Sequence, residues 1–190
     1  ASGARLVGFF TQTIRAGGTF NATLEQSRLG IAAVLKQFDT EGEIKTFDQA
    51  LARAGEAIDL LKQKAVTSPA SFSSLVQAFQ GTVGAMTAAE IPLKRQVDLI
   101  VNMSQALAGL GIREEQILQE TRALITGNIN ADAAAAKILG ITAADISSAR
   151  RTGNLYDFLS GRIAAFAEAG ARGAQSLNTL KSNFGDLLEQ

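Results

Sequence analysis

Apolar residues recur along this chain at spacings of three and four. No alternation of β-branched residues lasts more than a few positions, so the pattern predicts helix nearly throughout. The clearest case begins at Thr46. Thr46 and Gln49 form a capping-box pair, and Phe47, Leu51, Ala54, Ile58, Leu61 and Ala65 then mark one stripe. The stripe has heptad spacing but is too short for a sustained coiled coil, so it predicts one helix of a bundle. Upstream, Leu6, Phe9, Phe10 and Ile14 predict a helix over 5–16, stopped by Gly17-Gly18. A second helix is predicted from Phe20 to Phe38, with Leu24, Ile31 and Leu35 on its apolar side. Asp39 to Ile44 is polar, and Gly42 marks a turn within it.

Downstream of the Thr67-Ser68-Pro69 break, Phe72, Leu75, Val76, Phe79 and Val83 predict a helix ending at Val83, before a weakly patterned stretch from Gly84 to Glu90. Pro92 suits the first turn of the next helix, which carries Leu93, Val97, Ile100, Met103 and Leu107 and ends at Gly109 and Gly111. Three shorter helices follow: Glu114 to Thr126 closed by Gly127, Ala131 to Leu139 capped by Asn130, and one opened by Thr142 with Asp145 in its first turn and Gly153 as its stop. The pattern then predicts a helix from Leu155 to Ala169, a junction loosened by Gly170 and Gly173, and a last helix using Leu177, Leu180, Phe184 and Leu187. The expected fold is an all-α, multi-helix orthogonal bundle with longer amphipathic flanking helices. Its expected parts are an N-terminal helical arm (1–45), a compact domain (46–170) and a C-terminal helix (171–190) leading into a longer chain.

Composition narrows the function classes. With 190 residues and 46% hydrophobic content, the chain is long enough for a real core. Eighteen Lys and Arg balance eighteen Asp and Glu, which argues against a dedicated nucleic-acid surface and against polybasic membrane attachment. The absence of Cys removes disulfides, zinc–thiolate sites and thiol nucleophiles, and the absence of His removes the usual general base and the commonest metal ligand. No stretch approaches the roughly 18 apolar residues of a membrane span. The opening Ala1-Ser2-Gly3 and an ending inside an amphipathic run, Leu187 to Gln190, point to a piece of a longer protein.

Candidate chemistry is sparse. Gly109-Leu110-Gly111 precedes a helix, but no strand comes before it and no Gly-Lys-Ser/Thr follows, so a tight helix corner accounts for it better than a nucleotide loop. Asn128 to Asp132 superficially resembles a calcium loop, yet lacks the later glycine and glutamate. Glu114, Glu115 and Glu120 lie on one helix, where the first-turn dipole favours acidic residues, and Arg150-Arg151 suit the end of theirs. A carboxylate-based enzyme would require two or more of Glu114, Glu115, Glu120, Asp132 and Asp145 to converge on one cleft. The sequence therefore yields no catalytic, cofactor-binding or metal-binding residue. Gly161 and the alanines around Phe166, like the Ala133–Ala136 run, are small enough for helix backbones to approach closely.

Several stretches together resemble the N-terminal to middle helical region of tape-measure proteins from long-tailed phages and prophages. They are Phe20 to Arg28 leading into Gly30–Leu35; Ala65 to Pro69 followed by Phe72 and Leu75–Phe79; Ala106 to Ile112; Gln119 to Asp132 continuing to Leu139–Thr142; and Gly153 to Leu159. The resemblance spans about 20 to 188 and involves helix caps and core positions rather than a catalytic motif. It implies a structural and assembly protein that sets tail length and occupies the tail tube. Its implied partners are copies of itself, tube proteins and assembly chaperones, and its implied location is the virion tail after assembly in the bacterial cytoplasm. It implies no small-molecule substrate, cofactor, specific nucleic acid or membrane span. The alternative is a generic helical interaction module, such as an adaptor or effector domain.

Overall fold

The computed structural model describes residues 22–39, 42–66 and 68–188. The helix predicted over 5–16 lies outside them. The described chain is all-α. Helix α1 spans residues 22–38. It is followed by α2 (Phe47–Ala65), α3 (Phe72–Thr87), α4 (Leu93–Gly109), α5 (Glu114–Thr126), α6 (Ala134–Leu139), α7 (Ala143–Arg151) and α8 (Leu155–Leu188).

Local chemistry explains most of the boundaries. The capping box at α2 is formed: the Thr46 hydroxyl accepts from Gln49 N–H at 3.2 Å, and the Gln49 side chain accepts from Thr46 N–H at 3.2 Å. The box at α7 pairs Thr142 with Asp145 in the same way. Gly127, Gly140 and Gly153 all take left-handed backbone at the ends of α5, α6 and α7.

The core is organised around α4, which packs against α2, α3, α5 and α8. That position explains its burial on more than one side, including Val97, Leu99, Ile100, Met103 and Leu107 together with the polar Gln96, Ser104 and Gln105. Helix α1 belongs to the same core. Ile31, Ala32 and Leu35 are buried, and Arg28 Nε donates to the Leu51 carbonyl of α2 at 3.3 Å. On its other flank, Val34 and Phe38 lie over Gly84 of α3.

Helices α4 and α8 run parallel. The Arg95 guanidinium stacks 5.0 Å from the Tyr156 ring centre near their starts, and Gly109 meets Phe166 and Gly170 further along. This is the most extensive helix pairing in the described chain.

Four expectations change. Helix α3 continues through Gly84 to Thr87, because the missing side chain at Gly84 is what admits Phe38 and Val34; the glycine serves packing instead of ending the helix. The helix expected from Ala131 starts only at Ala134, because Asn130 Oδ1 accepts from Asp132 N–H at 2.9 Å and folds residues 130–132 into a turn. Gly170 and Gly173 do not loosen a junction: α8 is one helix from Leu155 to Leu188, so the boundary drawn at 170 falls inside it. On α2 the buried stripe is Ala50, Ala54, Ala57, Ile58 and Leu61, while Phe47 stays 40% exposed. The side chains of Leu177, Leu180, Phe184 and Leu187 lie outside the described ones.

Candidate functional site

The glycine-punctuated stretch from α5 to α7 holds most of the sequence's candidate residues. Its helices are fixed to one another by charged side chains that reach across to backbone groups at helix ends. An α-helix leaves its first N–H groups and last carbonyls without internal partners. Helix α6 is short, and no cap is made by its own Ala133. Glu120 of α5 supplies one: its two carboxylate oxygens accept from Ala134 N–H at 3.0 Å and Ala135 N–H at 3.1 Å. The carboxylate is nearly buried, and it sits where the helix dipole favours negative charge.

The opposite charge does the reciprocal job at the C-terminal end of α5. Arg150 Nη2, from α7, donates to the Ile125 carbonyl at 2.6 Å. Arg150 thus caps the C-terminus of another helix as well as lying near the end of its own. Ile146, one turn earlier on α7, packs so closely over Gly127 that a Cβ there would sit 2.9 Å from its Cγ2. A left-handed backbone and this contact both require glycine at 127.

Of the five carboxylates named from the sequence, the Glu114 side chain lies outside the described ones, and two of the others do share a cleft. Glu120 and Asp132 line a polar depression of about 330 Å³ with Gln116, Gln119, Arg122 and Asn130. Its chemistry is constrained by the bonds already made. Both Glu120 oxygens are engaged by backbone N–H groups, so a proton-transfer role would cost two charge-assisted hydrogen bonds. Asp132 is exposed on a turn, and Glu115 is exposed on α5. Asp145 is committed to the cap of α7. Its carboxyl is held below the ordinary carboxylate value by the Thr142 hydroxyl, then by Thr142 N–H, with a smaller contribution from Arg162. Among the described residues no group of three or more Asp or Glu is placed to hold a metal ion.

The second feature is the α4–α8 crossing. A Cβ on Gly170 would fall on the carbonyl of Gln105, and one on Gly109 would fall on the carbonyl of Phe166 and 3.1 Å from Gly170 N. The alanines singled out beside Phe166 are not at this contact: Ala164, Ala165 and Ala169 are exposed, and only Ala167 is buried. Beyond Gly170, α8 continues as helix past the last residue of α4.

Sequence reasoning placed the caps at Thr46 and Thr142, put one at Asn130 where the structure has a turn, and missed both the Ser71 cap of α3 and the long-range caps. Nothing in the spacing of Glu120 and Ala134, or of Arg150 and Ile125, marks them as partners. The buried Gln96 was missed as well, because a glutamine within an amphipathic helix reads as solvent-facing. Among the described residues no helix is long and apolar enough to cross a membrane. Compared with protein-family models, with curated proteins and with solved structures, the chain matches none.

Proposed function

We propose that this chain is a helical domain of a phage or prophage tail tape-measure protein, a structural and assembly component without catalytic activity of its own. The observation that carries the reading is where the resembling residues lie in the fold. The longest resembling stretch, Gln119 to Asp132 continuing to Leu139–Thr142, lies in the interlocked corner of the molecule. It contains Glu120, which caps α6, the left-handed corners at Gly127 and Gly140, and Thr142, which opens α7. These positions favour particular residue types for geometric reasons, and the resemblance rests on them.

Helix α8 supports the same reading. At 34 residues it is long for a globular domain. With the usual rise per residue it spans about 50 Å. A helix that outruns its partner offers a surface for packing against further copies, tail tube subunits or an assembly chaperone, as amphipathic helices lie in grooves. In this reading the domain is one segment of a ruler inside the virion tail.

The test is genetic and visual. An internal deletion or duplication in the parent chain, made in the phage or prophage that encodes it, is expected to shorten or lengthen the tail in proportion, measured by electron microscopy. Tails of unchanged length around a chain of altered length would count against the reading.

A further inference from the structure

Residues 128–152, which comprise α6, α7 and their connections, lie to one side of the core. Helix α6 packs on α5, and α7 on α5 and α8, whereas α4 at the centre packs on α2, α3, α5 and α8. Each end of the segment turns on a glycine with left-handed backbone, Gly127 at φ 74° and Gly153 at φ 67°. Within it, α6 and α7 are joined by the three residues Gly140 to Thr142, and Ile141 in the middle is 3% exposed. A connection so short, and buried at its centre, couples movement of either helix to the other.

The segment is held by little apolar area. Four of its seven buried apolar residues are alanines (Ala133, Ala135, Ala136 and Ala149), against one of seven, Ala106, in α4. Apolar burial stabilises in proportion to area, so polar latches carry more of the load here. Glu120 of α5 accepts from Ala134 and Ala135 N–H, and Arg150 of α7 donates to the Ile125 carbonyl. Both charges leave water at a cost. Glu120 is 9% exposed, and Arg150 Nε is buried and meets no acceptor. Among the described residues neither forms an ion pair. An unpaired charge in a seam regains its hydration when the seam opens, which lowers the free energy of the open form.

We propose that residues 128–152 form a lid: α6 and α7 swing off α5 together about Gly127 and Gly153, while α4 keeps its packing with α2, α3, α5 and α8. The lid lies at the low end of the stability range across the fold, where one unit opens before the whole unfolds. Opening uncovers the groups of α5 and its C-cap that the lid occupies when closed: the Glu120 carboxylate, the Ile125 carbonyl and Gly127 beneath Ile146. The proposal does not rest on the tape-measure reading, and either can fail alone.

The test is native-state hydrogen exchange of the whole 190-residue chain in low concentrations of urea. The Ile141 N–H, bonded to the Ala136 carbonyl, reports α6, and the Ala149 N–H reports α7. Both are expected to exchange through one opening, with a shared and weak dependence on urea, at least about tenfold more often than Ile100 of α4 or Leu124 of α5. Arg150→Met unfastens α7 and should speed exchange at Ala149 and at Ile141 by the same factor, about tenfold, as the loss of a hydrogen bond to a charged group predicts. Glu120→Ala should do the same at Ala149, on the helix that Glu120 does not touch. Acceleration confined to the helix nearest each substitution would mean that α6 and α7 fray separately, and equal acceleration at Ile100 would mean that the whole fold opens. Either result overturns the proposal, as does exchange at Ile141 and Ala149 with the rate and urea dependence of Ile100.

Discussion

Gly170 of α8 lies directly against the backbone carbonyl of Gln105 in α4, leaving no room for even a methyl group between the two helices. Gly109 and the Phe166 carbonyl repeat the relationship one turn away. The two helices of the principal packing pair thus meet backbone to backbone, which only glycine permits.

Gly170→Ala should accordingly force the helices apart and cost about 1–3 kcal/mol, the usual penalty of overpacking a tight contact. Gly161→Ala, on the same helix with open space around its Cβ position, should instead stabilise by about 0.5–1 kcal/mol. The two midpoints of urea unfolding, moving in opposite directions, check the argument. Equal shifts would mean that helix propensity, and not the crossing, sets the outcome.

Glu120→Ala removes the cap of α6 and strands two N–H groups close to the core. The expected cost is about 1–3 kcal/mol. The local signature is faster hydrogen exchange at Ala134 and Ala135 than at α3 or α4. Glu120→Gln, which keeps one acceptor oxygen, should fall between wild type and Ala.

Glu90→Gly should raise stability by about 1 kcal/mol, because glycine accepts the left-handed backbone without Cβ strain. For a chain of this size that is a rise in melting temperature of about 2–4 °C. Calorimetry decides it, and a fall in melting temperature would show that the Glu90 side chain contributes more than its backbone costs.

The Thr142–Asp145 cap carries a pH dependence of known sign. Hydrogen bonds from Thr142 hold the Asp145 carboxyl below its unfolded value of 3.8. A depressed carboxyl stabilises fully above the unfolded value, and the stabilisation disappears as pH falls through the folded one. The first turn of α7 should therefore fray under acidic conditions, seen as loss of helical carbon chemical shifts at Ala143 and Ala144. Asp145→Ala should flatten that transition.

Much of this was readable from the chain by itself. The all-α class, the limits of α5, the capping boxes at Thr46 and Thr142, and the glycine stops at 127, 140 and 153 all follow from interactions within a few residues. Such interactions act wherever the segment is placed, so the sequence encodes them openly. The same locality explains the errors. Gly84 opens a stretch that reads as weakly patterned and Gly170 reads as a loosened junction, because a local reading weighs only what glycine lacks along its own helix. The tertiary structure supplied the other half: Phe38 against Gly84 and the Gln105 carbonyl against Gly170, contacts that make glycine the best residue at those points.

The sequence by itself therefore determined the all-α class, the capping boxes at Thr46 and Thr142 and the absence of the residue types on which thiol and imidazole chemistry depends. Only the tertiary structure decided that Glu120 closes α6, that Arg150 closes α5, that Gln96 is buried with an oxygen unmet, and that α4 and α8 touch at their backbones. The physical reason is one of range. Capping and periodicity are set within a turn or two of helix. A carboxylate fourteen residues from the N–H it accepts, or a glycine facing another helix's carbonyl, acquires its role only when packing of the whole core brings them together.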